Sequence, residues 1–134
     1  MREIKQNDRI ELLLPATREL MLVVRLATSG VVARAGLTID VLDDVKMAVE
    51  EACMYMMTQV PESARLKLEF GLGEREIEVK VACETCASCR EARDEEEAEM
   101  EVVRCILESL VDQVEICREG AEARAIWLKA GTGR

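Results

Sequence analysis

The chain contains no histidine. That absence removes imidazole-based catalytic triads, imidazole metal sites and phosphohistidine chemistry. Aromatic residues are nearly as scarce, with one Trp, one Tyr and one Phe in 134 residues. The core must therefore be built from Leu, Val, Ile, Met and Ala. No apolar run approaches the roughly 20 residues that cross a bilayer. The opening stretch MREIKQNDRIELLL has no apolar region of the signal-peptide kind. Both absences predict a cytoplasmic protein with no membrane partner. Positive charge is also short: 18 Lys and Arg stand against 27 Asp and Glu, a net charge of −9. No surplus remains to neutralise phosphates, which argues against nucleic acid. A protein partner with a basic surface is the better match, because opposite charge speeds encounter.

What remains is ordinary for a globular chain, with 49% hydrophobic and 34% charged residues. The length fits one domain over residues 1–134 with a real core. Arg9 to Leu14 predicts a first strand closed by Pro15. Residues 17–36 place Leu20, Val23, Val24, Ala27, Val31 and Val32 at helical spacing, with Thr17 as N-cap and Gly36 as stop signal. Thr38 caps a second helix over 38–60, whose apolar face is Ile39, Leu42, Val45, Val49, Ala52 and Met56; Pro61 ends it. Ala64 to Phe70 and Glu76 to Ala82 alternate strictly, predicting a hairpin that turns at Gly71-Leu72-Gly73. A Cys-rich, acidic, lid-like segment over 83–97 leads into a third helix over 98–111. Val114 to Ile116 and Ala123 to Leu128 then form two strands around a Glu119-Gly120 turn. The order β-α-α-β-β-α-β-β predicts a two-layer α/β (α+β) sandwich, a mostly antiparallel sheet with helices on one face.

The stretch Met47-Ala48-Val49-Glu50-Glu51-Ala52-Cys53-Met54-Tyr55 lies in the second helix. Glu51 and Tyr55 are four apart, so they share a helix face and can point into one site. A carboxylate there can take a proton from a hydroxyl nucleophile. Together with RELMLVVRLATSGVVARAGL, DDVKMAVEEAC and ILESLVDQVEI, the element order resembles the anti-sigma-factor serine/threonine kinases, which have the histidine-kinase-like ATPase fold.

The resemblance implies three nucleotide-binding boxes. In the first, a Glu acts as general base and an Asn four residues on binds the magnesium of ATP; these positions hold Glu51 and Tyr55. A neutral phenol is a poor magnesium ligand, because that ion demands compact oxygen donors in an octahedron. In the second box, Asp-x-Gly-x-Gly, the positions hold Cys83, Thr85 and Ala87. A shift of one offers Glu84 as the acid but puts Cys86 and Ser88 in place of the glycines. In the third, Gly-x-Gly-Leu, the glycines fall on Glu101 and Val103, and a carboxylate in a phosphate cradle is repulsive. The nucleotide-binding positions Tyr55, Cys83, Thr85, Ala87, Glu101 and Val103 are thus all degenerate.

Six cysteines are many for a cytosolic chain of this size. Cys83, Cys86 and Cys89 form C-x2-C-x2-C, a spacing that can converge on zinc or an iron–sulfur cluster, which need about four thiolates. The ferredoxin run would continue x3-C-P, but Arg93 and Asp94 occupy those places. Metal or cluster binding, a reversible disulfide and no special role all stay open for this triplet. Cys53, Cys105 and Cys117 suit small buried hydrophobes. The acidic run over 94–101 is either a solvated face or a docking surface for a basic partner.

The leading expectation is an anti-sigma-factor-type regulator, a degenerate kinase that sequesters a sigma factor or an anti-anti-sigma-type protein without phosphoryl transfer and without a cofactor. The resemblance also implies a homodimer. Two alternatives stand beside it: an active serine/threonine protein kinase using ATP, magnesium and Glu51 as base, and a metal or thiol redox sensor built on the cysteine triplet.

Overall fold

The structure is a computed structural model that describes residues 9–58, 64–84, 94–119 and 122–131. Its elements are β1 (Arg9–Pro15), a 3-10 turn (Arg18–Leu20), α1 (Met21–Val32), α2 (Ile39–Thr58), β2 (Arg65–Gly73), β3 (Glu76–Glu84), α3 (Asp94–Leu110), β4 (Gln113–Glu119) and β5 (Glu122–Gly131). The five strands form one sheet in the order β1-β2-β3-β5-β4, with every neighbouring pair antiparallel. Because β5 lies between β3 and β4, those two run the same way and α3 is the crossover between them.

The strict alternation of the strands sets the register. Leu68 pairs with Leu12 on one side and Val81 on the other, and Val81 pairs in turn with Ile126. Leu66, Leu68, Phe70, Ile77, Val79, Val81, Ile126 and Leu128 all face inward and are buried. Each such side chain contributes about 1.5–3 kcal/mol when fully removed from water. Charged residues such as Lys67, Glu69, Glu78 and Lys80 occupy the alternate positions. A slip of one residue would bury them, so the pattern fixes the register.

Helix α2 is the central helix, packed on α1, α3 and the sheet strands β2, β3 and β5. Thr38 caps it: its carbonyl accepts from Leu42 N at 3.0 Å and its Oγ1 accepts from Val41 N at 3.4 Å. The inward residues Val45, Ala48, Val49, Ala52, Cys53 and Met56 are buried. At the far end of α3, Asp112 ties the helix to β5, donating N–H to Lys129 O at 3.0 Å and accepting Gly131 N–H on Oδ2 at 2.9 Å.

Several sequence-based boundaries shift. Thr17 makes no side-chain cap bond; a 3-10 turn intervenes and α1 begins only at Met21. That helix ends at Val32, four residues before Gly36, whose φ of 68° is the left-handed conformation that stops the chain from continuing. Val23 and Ile39, expected on apolar inner faces, are exposed, because α1 and α2 turn those positions away from the sheet. Gly71 and Leu72 belong to β2, and the hairpin turns instead at Glu74-Arg75. Helix α3 begins at Asp94 rather than 98, the acidic residues extending it. Strands β4 and β5 are longer than their apolar centres suggested. Pro61 and Gly120 lie outside the described residues.

Candidate functional site

Helices α2 and α3 run antiparallel. The Glu51–Thr58 end of α2 faces residues 98–106 of α3, and its start faces residues 109–112. Between the first pair of segments lies a groove of about 470 Å³, with Arg18 of the 3-10 turn at one side. Glu51, Met54, Tyr55 and Thr58 line it from α2; Ala98, Glu99, Val102, Val103 and Ile106 line it from α3. Both sets follow helical spacing, so each helix presents one stripe.

Glu51 and Tyr55 are therefore brought together in one site, and Val103 joins them. Tyr55 is only 5% exposed and belongs to the apolar core, so its ring forms part of the groove floor. Thr58 Oγ1 donates to the Tyr55 carbonyl at 2.6 Å, closing the last turn of α2. Glu101, expected in the cradle, does not line the groove. It lies on the exposed side of α3, 3.8 Å from Arg104. Among the described residues the α3 carboxylate that reaches the groove is Glu99, two residues earlier. Periodicity could have found it: 99, 102, 103 and 106 are one helical stripe, whereas 101 is not.

The fit to magnesium-ATP is poor. The phenol of Tyr55 stands at the position where the resemblance implies a compact oxygen donor for magnesium. Helix α3 also runs unbroken from Asp94 to Leu110. Its N–H groups at Glu101 and Val103 are thus spent on carbonyls four residues back and cannot cradle phosphate. The free N–H groups are those of the first turn, where Asp94, Glu95, Glu96 and Glu97 are all acidic.

The neighbouring acid has a different fate. Glu50 points to the other side of α2 and forms an ion pair with Arg25 of α1. Hydrogen bonding and charge from Glu50 raise the Arg25 pKa. Among the described residues Glu51 has no ion-pair partner.

Cys83 sits at the end of β3 opposite Leu66, half-buried and packed against the core. Cys53, on the adjoining helix α2, is fully buried, and its thiol pKa is pushed up to about 12 by burial first, then by Cys83 and Glu50. Such a thiol is inert as a nucleophile. Cys117 is half-buried, but Cys105 is exposed on α3 rather than buried as expected. Among the described residues none of these four cysteines forms a disulfide, and no three potential ligands converge as a metal site. Thr85, Cys86, Ala87, Ser88 and Cys89 lie outside the described residues.

Among the described residues no helix is long and apolar enough to cross a membrane. The described residues thus form an α+β sandwich, three helices laid over an antiparallel sheet, with a helix-lined groove that carries the carboxylates of Glu51 and Glu99.

No family model matches the chain. Curated relatives do. The serine-protein kinase RsbW of Bacillus subtilis is 38% identical over 85 residues, covering 60% of this chain and 53% of that protein. The serine-protein kinase RsbW of Halalkalibacterium halodurans is 38% identical over 79 residues, 58% and 49% of the two chains. The RsbW of Bacillus thuringiensis is 32% identical over 81 residues, 59% and 51%. The chain is thus similar to these serine-protein kinases over about 60% of its own length, and it spans about half the length of those curated relatives.

Proposed function

We propose that the chain is a cytoplasmic regulatory protein of the anti-sigma-factor type that acts by binding another protein and transfers no phosphate. One observation carries this: the aromatic ring of Tyr55 forms the floor of the groove where a magnesium ligand would stand. The unbroken course of α3 through 101–103 supports it independently. The partner is a sigma factor or an anti-anti-sigma-type protein, and the net charge of −9 favours a basic surface on it. A homodimer belongs to the same proposal. ATP and magnesium have no role in it, and neither does zinc or an iron–sulfur cluster at Cys83, Cys86 and Cys89.

A second possibility is an active serine/threonine kinase, favoured by the one feature the groove keeps, the carboxylate of Glu51 facing into it. Purification of the tagged chain from its host separates the two. A stoichiometric complex with a sigma factor or its antagonist that survives removal of nucleotide is expected. A complex that forms only with magnesium-ATP, or phosphate appearing on a partner serine or threonine, would favour the kinase.

A further inference from the structure

The same groove carries a more specific inference, which rests on the protein-binding proposal above. We infer that the groove between α2 and α3 receives an amphipathic helix of a partner protein, apolar on one face and basic on its flanks.

The apolar surface is unusual in being both exposed and continuous. Met54 is 39% exposed, Val102 60% and Ile106 38%, and all three open onto the groove above the buried floor of Tyr55 and Val103. Met47, one heptad before Met54 and exposed, extends the stripe along α2. Methionines of this kind adapt their shape to an incoming side chain. The α3 wall from Ala98 to Ile106 is nine residues long and spans about 12 Å at 1.5 Å per residue, which matches anchors at i, i+4 and i+7 of a partner helix.

The backbone decides between a helix and a strand. Both walls are helices whose main-chain groups bond within themselves, so among the described residues no sheet edge lines the groove to pair with an extended segment. A partner helix brings its own hydrogen bonds satisfied. Charge decides the flanks. Among the described residues Glu51 and Glu99 face the groove against one cation, Arg18, on a chain of net charge −9. A second copy of the chain would carry the same acids into contact, which disfavours it.

The test uses a fluorescently labelled synthetic helix of about 18 residues, five turns, composed of Leu and Lys, with leucines at i, i+3, i+4 and i+7. A scrambled peptide of equal composition, lacking one apolar face, is the control. Fluorescence anisotropy should show that the ordered peptide binds and the scrambled one does not. Val102→Lys and Ile106→Lys should each weaken binding about tenfold, as loss of a central apolar contact does. Leu26→Lys, which adds the same charge to an exposed apolar residue of α1, should change it less than about twofold, as expected of a site outside the contact. Trp127 fluorescence verifies that each variant is folded.

Equal binding of the two peptides overturns the inference, as does an equal loss with Leu26→Lys. A dimer of the free protein that Val102→Lys dissociates overturns it in favour of a second copy. No binding of peptide together with no binding of magnesium-ATP overturns this inference and leaves the protein-binding proposal standing. Saturable magnesium-ATP binding that displaces the peptide overturns both.

Discussion

The two sides of helix α2 have been put to different uses. Toward the sheet, Val45, Ala48, Val49, Ala52, Cys53 and Met56 are buried in a dry, close-packed layer. Toward α3, Glu51 and Met54 lie at the surface of a groove. The contrast reaches adjacent residues: Glu50 is held by Arg25, while its neighbour Glu51 faces the groove. Tyr55 is where the two sides meet, buried against the core yet lining the groove. Packing accounts for every residue of the inner side. Nothing within the described chain calls for exposed Met54, Val102 and Ile106, which is why contact with another protein is the natural account of them.

The largest effect that sharpens this contrast is on stability. Met56→Ala on the inner side should cost about 2–5 kcal/mol, because it opens a cavity in the core. Met54→Ala, two residues away, should cost less than about 1 kcal/mol, since much of that side chain already meets water. Urea unfolding followed by the single Trp127 measures both. Similar costs would mean that the groove is part of the core.

Tyr55→Asn comes next. Restoring the expected magnesium ligand should lower stability on the order of 3 kcal/mol, because a buried ring is lost. It should bring no magnesium-ATP binding, since α3 still offers no phosphate cradle. Recovery of binding by that one change would show that Tyr55 alone blocks the site.

Cys53 tests how dry the inner side is. Its thiol stays protonated in the fold up to about pH 12, whereas in the unfolded chain it ionises near 9.0. Between those values the unfolded state releases a proton that the folded state retains. Stability should therefore fall as pH rises through that window, by up to about 1.4 kcal/mol per pH unit. Cys53→Ala lacks this dependence, so its deficit against the parent should shrink above pH 9. A constant deficit would mean that the thiol is not secluded from water.

The smallest effect belongs to the other side of the helix. Arg25→Ala removes an exposed ion pair with Glu50, which water and salt screen, and should shift the thermal midpoint less than any change above.

Much of the fold was legible because its signals are physical and local. Leu66, Leu68 and Phe70 against Ile77, Val79 and Val81 could form only one hairpin register with one dry face. The element order followed from such periods and from Thr38, Gly36 and Pro15. The misses have causes of the same kind. Thr17 sits before a 3-10 turn that no spacing announces. Val23 and Ile39 are apolar but exposed, and periodicity assigns apolar residues to cores by default. Glu51 and Tyr55 line one groove, as their spacing of four on a helix implies. Glu99 was missed for Glu101 because the glycine positions were counted along the sequence, whereas the unbroken helix had turned position 101 to solvent. Arg18 was invisible, since it reaches the groove only through the tertiary packing of an element remote in sequence.

The central claim is that this groove receives protein and not nucleotide. Calorimetric titration of the purified chain with magnesium-ATP tests it most directly. No saturable heat up to millimolar nucleotide is predicted; saturable binding that requires magnesium would contradict the account.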